Sequence, residues 1–164
     1  MSARPRQDET AADAALDLAG FLPYRLSVLA NRLSSQLARL YAERFDLTIP
    51  EWRVMAVLGQ FSDVTSDFVC AKTQMDRVTV SRAVARLAAK RQLSRRRASD
   101  DRRCSRLNLT AAGRRVYAGV VPLARRYEQA LLEVLDAGSA ARFDALLTTL
   151  DARAEALAAE RVPF

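Results

Sequence analysis

From Leu22 onward, apolar residues recur at intervals of four and three. Leucines at 22, 26, 29, 33, 37 and 40 fall on one stripe of a helix turning about 100° per residue. This predicts a first helix over about residues 21–44. In the LTIPEW that follows, Thr48 and Glu51 are spaced as a capping box, and Pro50 occupies the first turn. A second helix should therefore run to about Gln60, with Phe61 to Val64 as a short connection. A third helix is predicted from a Thr65 cap to about Lys72, and a fourth from an Asp76 cap through Arg91. Only Thr73, Gln74 and Met75 separate these two, which is the spacing of a helix-turn-helix. Beyond Arg91 the period changes. LSRRR and SRLNLT flank a polar ASDD tip and read as a two-stranded hairpin. Thr110 then caps a long helix with Val116, Val120, Leu123, Tyr127, Leu131 and Val134 at helical spacing. The Asp136 cap and Gly138 mark a break. A last helix carries Phe143, Leu146, Leu147, Leu150, Ala154 and Leu157 on one face.

Composition agrees with this order. The 164 residues, half of them hydrophobic, can bury one core, and only five Gly and five Pro leave helices favoured over a turn-rich sheet fold. The formal net charge is +7, and it is confined: residues 72–106 carry +9 and 107–127 a further +4, while the segments before and after this stretch are neutral or acidic. A confined basic block indicates one face suited to phosphate. With no His in the chain, imidazole-based catalysis and metal binding are excluded. Cys70 and Cys104 are too few for a disulfide framework or a zinc site, and no Gly-rich phosphate loop or nucleophile elbow is present. The expectation is a cytoplasmic protein with no enzymatic activity, cofactor, metal or membrane span, since no apolar run reaches the roughly 20 residues that a span needs.

The fourth helix, DRVTVSRAVARLAAKR, can turn Val80, Ala83, Val84 and Leu87 inward while Arg77, Thr79, Ser81, Arg82 and Arg86 project outward. Such a face can enter a major groove, where Arg bridges the guanine O6 and N7 acceptors and Ser or Thr reaches base edges or phosphates. The simpler alternative is an ordinary solvated face. Beside it, eight Lys or Arg between 90 and 106 meet only Asp100 and Asp101. The hairpin strands would lay Arg95, Arg96 and Arg97 along phosphates, and the tip could put Arg102 or Arg103 into the minor groove. The Asp at the tip would pair with a neighbouring Arg and hold its direction.

With EWRVMAVLG, MDRVTVSRAVARL and DDRRCSRLNLTAAG in this order, the chain resembles the MarR family of winged-helix regulators over about residues 21–157. The resemblance implies a mainly α fold with a small β-hairpin wing (α+β). Its winged helix-turn-helix would span about 48–110, and the helices at 21–44 and 111–157 would form a dimerisation region. Residues 1–20 are left as a polar extension and 158–164 as a tail. It further implies that the fourth helix reads bases, that Arg103 is the minor-groove arginine and that Asp101 orients it. A homodimer on a pseudo-palindromic duplex site would follow, and apolar stripes at both ends of the chain agree physically with dimerisation. Two positions depart from the family pattern: Gln92 stands where a Gly usually ends the recognition helix, and Ser99 precedes Asp100 where a Pro-containing turn is common.

Many members of this family release DNA when a small aromatic or anionic compound binds. The candidate ligand residues here are Arg25, Asn31 and Arg32 on the first helix, Trp52 and Met55 on the second and Tyr117 on the fifth. An Arg would pair a carboxylate and Trp52 would supply an apolar wall; an aromatic acid or acyl thioester is the expected inducer class. Core packing for Trp52, and a surface or interface place for Arg25 and Arg32, is the simpler explanation of these residues. Cys70 is expected to face inward, and Cys104, among Arg102, Arg103 and Arg106, has a setting that favours its thiolate. The leading functional reading is a ligand-responsive repressor. Its rivals are an architectural DNA-binding protein of low specificity and a helical module whose basic wing docks an acidic protein.

Overall fold

The computed structural model describes residues 16–97 and 105–160. The element order is α1 (Leu22–Phe45), α2 (Ile49–Gln60), α3 (Ser66–Thr73), α4 (Arg77–Ala89), β1 (Leu93–Arg97), β2 (Ser105–Leu109), α5 (Ala111–Leu132) and α6 (Ala137–Glu160). The chain divides into two units, residues 1–117 and 118–164. The first holds α1 to α4, the hairpin and the opening turns of α5, and the second holds the rest of α5 and α6. This is the mainly α, hairpin-bearing architecture expected from the hydrophobic pattern. Among the described residues, no helix is long and apolar enough to cross a membrane.

The helix starts follow local side-chain chemistry. Thr48 closes a complete capping box with Glu51, Thr65 accepts from the Phe68 N–H, and Asp76 accepts from the Thr79 N–H at 2.8 Å. Thr110 accepts from the Gly113 N–H at 3.1 Å, and Asp136 accepts from the Ser139 N–H at 2.8 Å. Each cap satisfies an amide that the helix itself leaves open.

In the first unit, the core gathers Val54 and Leu58 of α2, Val69 of α3, Val80, Val84 and Leu87 of α4, and Leu93, Leu107 and Leu109 of the hairpin. Burial of each such side chain contributes about 1.5–3 kcal/mol, so four inward positions on α4 are enough to fix which of its faces looks outward. The hairpin pairs Leu93 with Leu109 and Arg97 with Ser105. It is held to the helices at two places. The Leu107 N–H donates to the Val64 carbonyl at 2.8 Å, so the predicted Phe61 to Val64 connection contributes a third, one-residue bridge to the hairpin. At the other end the Thr110 N–H donates to the Gln92 carbonyl, and a Cβ on Gly113 would stand 1.9 Å from that same oxygen.

Four sequence expectations need correction. Helix α4 ends at Ala89, not Arg91, and the left-handed residue beyond it is Arg91 with φ 56°, one position before Gln92. The Arg91 N–H reaches the Ala88 carbonyl and the Gln92 N–H the Leu87 carbonyl, both at 2.9 Å. These two bonds close a Schellman ending without glycine. Cys70 is half-buried, with Val69 taking the core position beside it. Val134 lies past the end of α5 and is exposed, and Gly138 lies inside the first turn of α6 because the break falls at residues 133–136.

Candidate nucleic-acid interface

Helix α4 presents the proposed reading surface. Its inward positions are those predicted, Val80, Ala83, Val84 and Leu87, all buried. Arg77, Ser81, Arg82 and Arg86 are exposed, whereas Thr79 is half-buried. The Thr79 hydroxyl donates to the Asp76 carboxylate at 2.6 Å, and this bond, with the backbone N–H bond beside it, holds the Asp76 carboxyl below its ordinary value. Thr79 therefore fixes the first turn of α4. Arg77 reaches back to Asp67 of α3 at 3.3 Å, with both side chains solvated; such a pair is weak and exchangeable. Arg82 and Arg86 line a hollow of about 200 Å³ that is completed by Thr48 and Pro50 at the start of α2.

The far end of α4 is anchored by a group that sequence reasoning treated only as a cap. Glu51 is 1% exposed and meets the Lys90 ammonium at 3.0 Å, while its other oxygen accepts from the Thr48 N–H and hydroxyl, both at 2.7 Å. Burial opposes the charge of Glu51, but the Thr48 and Lys90 bonds together outweigh it and lower the carboxyl pKa. Lys90 also contacts the carboxylate and the carbonyl of Asp46. Burial opposes its charge too, and these partners raise its pKa. One ammonium thus ties α4 to the junction of α1 and α2.

The hairpin carries the second cationic surface. Arg95 and Arg96 of β1 are exposed, and Arg97 closes the strand. Arg96 stands opposite Arg106 in the register, a like-charge cross-strand pair that is unfavourable by itself. Asp63 relieves it. Its carboxylate accepts from Arg96 at 3.4 Å and its carbonyl from Arg106 at 3.2 Å. Asn108 grips the same residue through its amide, at 2.8 Å to the Asp63 N–H and 3.1 Å to the carboxylate. The predicted tip residues Asp101, Arg102 and Arg103, with Ser99, Asp100 and Cys104, lie outside the described residues.

Of the candidate ligand residues, Trp52 and Tyr117 are brought together. Their rings stack at 6.0 Å and 24°, and the Tyr41 ring meets Trp52 in a tilted contact at 5.7 Å. Gly59 makes room for this, since a Cβ there would lie 2.4 Å from the Tyr117 ring. Burial pushes the Tyr41 phenol up to about 12 against the field of Arg53. Met55 is wholly buried in the core, and Arg25, Asn31 and Arg32 are exposed on α1. Tyr117 also borders a cleft of about 480 Å³ with Gln60, Ser62, Asn108 and Arg114. Among the described residues no cluster of acidic or Cys side chains could hold a metal ion.

The model of the MarR family matches residues 45–103. Among solved structures, a MarR/EmrR family transcriptional regulator from Acinetobacter sp. ADP1 is 26% identical, with a TM-score of 0.78 over 85% of this chain and 99% of that one. The PcaV transcriptional regulator from Streptomyces coelicolor, solved in complex with its natural ligand, is 27% identical, with a TM-score of 0.73 over 86% and 99% of the two chains. The S. aureus MepR–DNA complex shares the fold at 21% identity, with a TM-score of 0.73 over 81% and 98%. Among curated proteins none matches. The family match covers the helix-turn-helix and the first hairpin strand just described, and the structural likeness extends over most of the chain, so the chain is similar, in this segment and in its fold, to the MarR family of winged-helix transcriptional regulators.

Proposed function

We propose that this protein is a homodimeric repressor that binds a pseudo-palindromic operator through α4 and the wing, and that a small aromatic or anionic compound releases it. The observation that carries the reading is the outward face of α4: a helix pinned by four buried residues, capped at its start and salt-bridged at its end, presents Arg77, Ser81, Arg82 and Arg86 to solvent. A rigid element with this face suits the major groove. Arg95, Arg96 and Arg97 would follow phosphates, with Arg102 and Arg103 near the minor groove and Asp101 orienting the latter. Dimerisation is supported by exposed apolar residues on α1, among them Leu22, Leu26 and Leu29, and separately by Phe143, Leu146 and Leu150 on α6. Ligand release is supported by the likeness to PcaV, whose structure holds its natural ligand, and by the Trp52–Tyr117 stack as an apolar wall, with Arg25, Asn31 and Arg32 as the polar candidates.

Fluorescence anisotropy on duplexes tests this reading. Arg82→Ala should lower discrimination between operator and scrambled duplex, by about tenfold for one lost bidentate base contact. Arg103→Ala should weaken binding to both duplexes and reduce the dependence of affinity on salt. Equal binding of the wild type to operator and scrambled duplex at moderate salt would favour an architectural role. A panel of aromatic acids and their thioesters, scored by operator release, tests the ligand part.

A further inference from the structure

The residues read from sequence as outward-facing on α4 are all polar, but its exposed face has an apolar centre. At about 100° per residue, the buried positions Val80, Ala83, Val84 and Leu87 define one direction, and the positions directly opposite are Val78, Arg82, Ala85 and Ala89. Arg77 and Ser81 lie to one side of that line, Arg86 and Thr79 to the other. Val78 is 58% exposed, and Ala85 and Ala89 are exposed with it. The two alanines let the helix backbone come close to whatever it faces. Val78 sits in the first turn, which the Asp76 and Thr79 bonds hold in place, and a β-branched side chain in a helix has essentially one rotamer. The result is a small apolar knob, fixed in direction, one turn before Arg82 on the same line.

Resting on the DNA-binding reading above, we propose that Val78 seats the C5 methyl group of a thymine in the major groove and is a base-reading residue of each half-site. Among the four bases only thymine offers a methyl there. A guanidinium and an isopropyl group one turn apart on one helix line would read two neighbouring positions by different chemistry: Arg82 the guanine acceptors, Val78 the thymine methyl. Val78→Ala shortens the knob without touching the core, so the fold is retained.

The test uses the full-length protein and the half-site defined by footprinting. Each thymine is replaced in turn by deoxyuridine, which removes only the methyl group. One position per half-site should weaken wild-type binding about fourfold, the effect of one buried methyl, and Val78→Ala should bind the thymine and uracil versions of that position equally. A wild type indifferent to every replacement, or a Val78→Ala variant that keeps the wild-type penalty, would overturn the proposal while leaving duplex binding intact. Failure of the wild type to bind the unmodified operator would instead remove the DNA-binding reading, and this proposal with it.

Discussion

Glu51 shows how one side chain serves two purposes at the residue scale. The spacing to Thr48 made its capping role legible, because a capping box is local. Its second partner, Lys90, lies 39 positions away, and no local pattern announces that contact. The carboxyl pKa is lowered from 4.5, so its contribution to stability is complete above that pH and is lost as pH falls through the folded value. The wild type should therefore be more stable than Glu51→Gln at pH 7, with the gap narrowing below about pH 4.5 in urea titrations. Lys90→Met leaves a buried carboxylate without its cation and should cost about 3 kcal/mol; a variant as stable as wild type would remove the anchor from the account. Gly113 carries the complementary message. Any Cβ there meets the Gln92 carbonyl at 1.9 Å, so Gly113→Ala should destabilise by about 2–3 kcal/mol in thermal melts, since the obstacle is backbone.

At the scale of elements, the caps at Thr48, Thr65, Asp76, Thr110 and Asp136 were readable because each is a contact within three residues. Ends were harder. Basic residues and no glycine follow Ala89, so no local signal marks the end of α4, and the chain leaves the helix through a left-handed arginine. That conformation is unfavourable for a side-chain-bearing residue by about 1 kcal/mol, so Arg91→Gly should raise stability by somewhat less than this, as measured by denaturant midpoint. The hairpin strands were legible from their turn residues, but the Val64 bridge and the Asp63 clasp were not, because both join segments more than 30 residues apart. Asp63→Ala should leave Arg96 and Arg106 facing each other unscreened. Faster amide exchange at Leu107 is the expected outcome, with little change in α1; unchanged exchange would show that Asn108 and Val64 suffice to hold the hairpin. The apolar centre of the α4 face was overlooked for a different reason. The outward set read from sequence holds only polar residues, and Val78, an apolar side chain outside the inward stripe, falls in neither set.

For the whole molecule, the confined charge of residues 72–106 and the apolar stripes at both ends of the chain pointed to the same design before any coordinates: a cationic reading surface on one segment and uncovered helix faces on others. In the structure, arginines of α4 and of the hairpin are exposed, as are leucines of α1 and of α6 in their separate units. A homodimer of this chain would carry two copies of α4, and a two-fold protein matches a two-fold duplex site with half-sites about one helical turn apart. The measurement that addresses this most directly is a footprint of the full-length protein on DNA upstream of its own coding sequence, at moderate salt. The account predicts a protected segment with two related halves, their centres about 10 base pairs apart, and loss of that pattern in Arg82→Ala. Uniform cleavage across the region, at protein concentrations that saturate unrelated duplex equally well, would contradict it.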